Sequence, residues 1–80
     1  MNRPEIDAKL EELVKDILRI DYYNHNIAME NEDNWDSLAH IQLLSAIEEE
    51  FHIEIKFQDT MEMTSIRAII SMIIEYTKSG

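Results

Sequence analysis

Asp36, Ser37 and His40 place an acid, a hydroxyl and an imidazole close together in the chain. Ser37 and His40 stand three apart, so on a helix their side chains can touch. A Ser-His-Asp hydrolase needs all three roles at once and an oxyanion site besides. Here Asp36 is better used as a helix cap, and no oxyanion site is evident. A helical wheel turns His40 toward the core side, where a half-buried imidazole hydrogen-bonded to the preceding loop is expected. Nucleophilic catalysis by this trio is therefore rejected, and no enzyme is expected. Metal chemistry fares no better. His25, His40 and His52 lack ligand-like spacing, and the acidic run from Asn31 to Asp36 lacks the glycine and the spaced oxygens of a calcium loop. With no cysteine, disulfides, thiolate metal sites and a cysteine nucleophile are excluded. Any thiol chemistry must come from an added group.

The elements that position Ser37 are constrained by size and charge. Eighty residues make one domain with room for one thin core and little room to enclose a deep pocket. The formal net charge is −10, from 17 acidic and 7 basic residues. Nucleic acid and anionic membranes would be repelled, and a basic protein surface is the natural complement. Apolar residues still make up 45% of the chain, enough to order it. No apolar run approaches the length of a membrane span, and Met1 to Glu5 lack the apolar core of a signal peptide. A cytoplasmic monomer is expected.

One glycine (Gly80) and one proline (Pro4) leave few breakers, so the chain reads as helical. A first helix is expected over about 4–20, Pro4 suiting its first turn. Its stripe is Ile6, Leu10, Leu13, Ile17 and Ile20, widened by Val14 and Leu18. Residues 21–35 read as a long ordered loop rich in Asn and Asp, anchored by Tyr22, Tyr23, Ile27 and Trp35. A second helix follows over about 37–51, with Asp36 as its N-cap. Ile53, Ile55 and Phe57 alternate with polar residues, but without a partner strand an extended connector is expected. A short helical turn is expected over about 59–63 and a last helix over about 65–77, capped by Thr64. Lys78-Ser79-Gly80 reads as a frayed end.

On a wheel of 3.6 residues per turn, Leu43, Leu44, Ala46, Ile47 and Phe51 share the core arc of the second helix. Ser37, Leu38, Ile41, Ser45, Glu48 and Glu49 fall on the other side. Two apolar residues beside Ser37, bordered by acids, read as a docking patch.

The segment Asp36-Ser37-Leu38-Ala39-His40-Ile41-Gln42-Leu43-Leu44-Ser45-Ala46-Ile47-Glu48-Glu49-Glu50-Phe51 resembles the recognition helix of acyl and peptidyl carrier proteins through its whole length. Ile53, Ile55 and the helix start at Thr64 continue the match. The family stretch Asp-Leu-Gly-x-Asp-Ser-Leu is here Glu32-Asp33-Asn34-Trp35-Asp36-Ser37-Leu38, without the glycine and with a tryptophan beside the motif. That departure bears on the pathway more than on the modification.

The resemblance implies an all-α, four-helix carrier bundle with a long loop between helices 1 and 2 and a short third helix. It implies covalent attachment of 4′-phosphopantetheine, taken from coenzyme A, at Ser37. Asp36 and Leu38 complete the motif. Leu38, Ile41, Glu48 and Glu49 are the expected docking residues. The implied partners are a phosphopantetheinyl transferase, a loading ligase and downstream transferases or synthases with basic docking surfaces. The expected role is that of a stand-alone carrier of thioester-bound intermediates for a lipid, polyketide, peptide or surface-glycan pathway. The alternative is an acidic interaction module that binds a basic partner without a prosthetic group.

Overall fold

The computed structural model describes residues 2–78; Ser79 and Gly80 of the expected frayed end lie outside them. Four helices follow in order: α1 (Arg3–Leu18), α2 (Ser37–Phe51), α3 (Phe57–Thr60) and α4 (Ile66–Lys78). α1 packs against both α2 and α4, in a body of 34 × 26 × 19 Å.

α1 begins where Asn2 accepts the Glu5 N–H at 2.9 Å, satisfying one orphan donor of the first turn. It ends two residues before the expected 20. Arg19 adopts the left-handed conformation (φ 57°, ψ 49°), and the N–H groups of Arg19 and Ile20 both return to the Lys15 carbonyl. His52 ends α2 in the same way, at φ 55°. With the chain's single glycine at position 80, ordinary residues take up left-handed caps that glycine usually fills, at about 1–2 kcal/mol each.

The buried row of α1 is Ile6, Leu10, Val14 and Leu18, a strict spacing of four. Leu13, Ile17 and Ile20 only border it, which reverses the ranking expected from the sequence. Packing between two helices favours the straight i, i+4 row over the broader alternating stripe. Leu43, Leu44, Ile47 and Phe51 of α2 and Ile66, Ile69, Ile70 and Ile73 of α4 complete the core.

The long loop is stitched down rather than draped. Met29 N–H donates to the Thr64 carbonyl and Ile66 N–H to the Ile27 carbonyl, around an isolated antiparallel bridge between Ala28 and Ser65. Thr64 thus contributes backbone to the loop, and the cap of α4 is Ser65, whose Oγ accepts the Ala68 N–H at 3.1 Å. Ile27 and Trp35 are buried anchors, and Tyr23 packs half-buried against the core. Tyr22 is not an anchor in the core: it is 46% exposed and donates its hydroxyl to Glu32.

The short helix forms at Phe57–Thr60, not at 59–63. Lys56 accepts the N–H groups of Asp59 and Thr60, while Met63, fully buried, is drawn into the core and cannot continue a surface turn. α3 itself has no buried residue. Polar ties hold it: Tyr76 donates to Asp59 Oδ2 and accepts the Lys56 N–H at 2.8 Å.

Candidate functional site

Ser37 is the first residue of α2. The residue before it, Asp36, is extended (φ −97°, ψ −174°), and its carboxylate accepts the Ala39 N–H at 2.8 Å. The Asp36 carbonyl takes the His40 N–H. Among the described residues, the Ser37 hydroxyl and the N–H groups of Ser37 and Leu38 have no hydrogen-bond partner. An exposed primary alcohol therefore sits beside two open donors at the positive end of a 15-residue helix. This is a surface suited to a covalently bound phosphate.

The loop ahead of the serine is held by hydrogen bonds from Trp35 and Asn34. Trp35 is only 2% exposed, and its indole N–H donates to His40 Nδ1 at 3.0 Å. Tryptophan can only donate, so this bond fixes His40 as the neutral tautomer protonated on Nε2. That second nitrogen donates to the Thr60 carbonyl at 2.8 Å. Both ring nitrogens of His40 are thus committed to Trp35 and α3, and neither is available to Ser37 as a base. Asn34 occupies the position of the family's glycine without needing a positive φ. Its side-chain amide donates to the Leu18 carbonyl at 2.9 Å, and its backbone N–H donates to the buried Glu32 carboxylate at 3.0 Å. The end of α1 and the start of α2 are tied together through this one residue.

Leu38 and Ile41 are 64% and 63% exposed, on the same open side of α2 as Ser37. The three glutamates differ sharply. Glu48 turns back on its own chain, accepting the Ile55 N–H at 2.8 Å, and is half-buried rather than on the open face. Glu50 pairs with Lys9 of α1 at 3.0 Å. Glu49 alone is exposed and without an ion pair among the described residues. Ala46, placed on the core arc by the wheel, is only half-buried.

Two exposed apolar residues escaped the sequence reading. Phe57 and Met61 are 80% and 68% exposed, at i and i+4 around α3. The His40–Thr60 bond holds that segment against the start of α2. Their signal is present in the sequence as two large apolar residues among polar neighbours, but Phe57 reads there only as part of an extended connector with Ile53 and Ile55.

No group of metal-ligating side chains occurs among the described residues, and no helix among them is long and apolar enough to cross a membrane. A family model described as a phosphopantetheine attachment site matches residues 35–73. The match opens at Trp35, takes in all of α2 and α3, and ends within α4.

Proposed function

We propose, from the match of residues 35–73 to a phosphopantetheine attachment site, that the chain is a carrier of the acyl and peptidyl carrier family and that Ser37 is the residue that bears the arm. 4′-Phosphopantetheine is attached covalently to domains of this family, and the chain is a phosphopantetheine carrier. When attached, the arm supplies a terminal thiol on which acyl groups are carried as thioesters.

The observation that carries the choice of residue is the unpartnered Ser37 hydroxyl at the start of α2. Modification forms a phosphodiester at that oxygen as the pyrophosphate bond of coenzyme A breaks; adenosine 3′,5′-bisphosphate leaves and the hydroxyl proton passes to the transferase. The open N–H groups of Ser37 and Leu38 then face the new charge. Asp36 holds the helix start in place through its cap, so the serine is offered on an ordered backbone. The acidic-module alternative gives no reason for this arrangement at a helix start.

Docking of the transferase and of later enzymes is assigned to the same open face. Leu38 and Ile41 supply short-range apolar contact, and Glu49 supplies charge toward a basic surface. Glu48, engaged with Ile55, serves this face by holding the end of α2 rather than by meeting a partner. The cargo is an acyl or related intermediate of a lipid, polyketide, peptide or surface-glycan pathway, and separate enzymes load and unload it.

Intact mass before and after incubation with coenzyme A and a broad-specificity transferase tests the assignment. Wild type should gain one phosphopantetheine and Ser37→Ala none. A labelled alanine variant would sink it.

A further inference from the structure

A groove of about 360 Å³ runs between the end of α1, the loop and the first turns of α2. Asp36 and Leu38, the two neighbours of Ser37, both line it, and it continues past Ile17 and Gln42. Its one cation among the described residues is Arg19.

Three observations single out Arg19. It is the C-cap of α1, at φ 57°, so the helix ends with this residue on the wall of the groove. The Asn34–Leu18 bond of 2.9 Å ties the residue that precedes Arg19 to Asn34, which stands three positions before Ser37 in the chain. And Arg19 forms no ion pair or side-chain hydrogen bond among the described residues, although Asp33 and Asp36 line the same groove. An arginine unspent in so acidic a chain is open to an anion from outside the protein fold. A phosphodiester on Ser37 is such an anion. Without Arg19 the two aspartates would repel it; with Arg19 the groove offers a guanidinium suited to phosphate oxygens.

We propose that this groove is the resting place of the proximal part of the 4′-phosphopantetheine arm, with Arg19 as the counter-ion of the Ser37 phosphodiester. The phosphate meets Arg19 and the open N–H groups at the start of α2. The amide-bearing chain then lies along the groove toward Ile17 and Gln42, on the α1 side of the helix, leaving Ile41, which does not line the groove, clear for enzymes. This rests on Ser37 as the attachment site.

The chain has no cysteine, so a thiol-reactive nitroxide on the loaded protein labels the arm alone. Amide and Arg19 Nε–H signals of ¹⁵N-labelled protein are compared before loading, after loading and after labelling. Wild type, Arg19→Gly and Arg19→Lys are used, each checked for loading by intact mass. On loading, signals of Arg19, Ile17 and Gln42 should shift. Those shifts should shrink at least twofold in Arg19→Gly and largely persist in Arg19→Lys. Added salt should reduce the difference between the two variants, because the contact is electrostatic. Nitroxide broadening should centre on residues 17–19 and 42. Shifts confined to 36–40, broadening centred on 57–61, or indifference to Arg19→Gly would each overturn the groove while leaving Ser37 in place. A wild-type protein that gains no mass would overturn the attachment reading and this one together.

Discussion

The two ends of α2 have been built to opposite ends. At its C-terminus two of the three glutamates are engaged internally, the Glu48 carboxylate by Ile55 and Glu50 by Lys9, and the Glu48 carbonyl takes the His52 and Ile53 N–H groups. Phe51 closes the core beneath them. At its N-terminus Asp36 caps the helix and His40 is tied to Trp35 and Thr60, while the Ser37 hydroxyl is left unpartnered and Ser37, Leu38 and Ile41 face outward. One end stabilises the fold and the other is kept available. The same helix shows that leftover bonding capacity, more than residue type, marks the functional end. Glu48 and Glu49 are identical and adjacent, and only one is free.

Ahead of the open end lies its buried support, and the largest effect is expected there. Trp35→Ala removes the indole from the core and leaves His40 without its donor. Loss of about 3–5 kcal/mol should lower the melting temperature by on the order of 12 °C or more in a domain of this size. Differential scanning calorimetry checks it. An unchanged transition would mean that the open end stands without this support.

A smaller but more discriminating contrast comes from the adjacent glutamates. Glu48→Gln and Glu48→Lys both weaken or remove the acceptor for Ile55 and should cost about 1–3 kcal/mol. Glu49→Lys should stay within about 0.5 kcal/mol of wild type and should instead slow modification by a basic transferase, a defect that narrows as salt rises. Equal melting temperatures for the two positions would erase the distinction between the ends.

Ile41→Ala should leave stability within about 0.5 kcal/mol and reduce the modification rate at low and high salt alike, since apolar contact is not screened. Stopped-time mass measurements across a salt series read this. A rate that recovers with salt would contradict it.

The smallest effect belongs to the far side of the molecule, where α1 holds the loop by Asp7. Its carboxylate accepts from the Tyr23 hydroxyl and lies 3.0 Å from His25 Nε2. Partial burial acts to raise its pKa, but the Tyr23 and His25 hydrogen bonds and nearby positive charge outweigh that and hold it below the ordinary 3.8. A depressed carboxylate contributes stability that is present above its unfolded pKa and lost as pH falls through the folded value. The contribution should thus be intact at pH 6 and fade below about pH 4. Because the pair is partly exposed, Asp7→Asn should flatten the acid limb of the stability profile only slightly. An acid limb as steep as wild type would remove Asp7 from the account.

How much of this was legible in the sequence follows the same division. The exposure of Leu38 and Ile41 could be read because helical periodicity places them opposite Leu43, Ile47 and Phe51. The Asp36 cap is a local device with a local signal, and so was the half-buried His40. What escaped depends on partners distant in sequence. Glu48 meets Ile55 only after the chain reverses at His52. Ser65 replaces Thr64 as the cap because Thr64 pairs with Met29 of the loop. α3 begins at Phe57 because Lys56, Asp59 and Tyr76 meet there and Met63 is claimed by the core. Arg19 stops α1 early because the chain has no glycine to offer at that turn.

The central claim is that the open end of α2 is open for one oxygen. The chain contains five serines: 37, 45, 65, 71 and 79. Fragmentation of the loaded wild-type protein by mass spectrometry localises the added group among them. The account predicts phosphopantetheine on Ser37 alone. The same mass found on Ser45, Ser65, Ser71 or Ser79, with Ser37 bare, would contradict it.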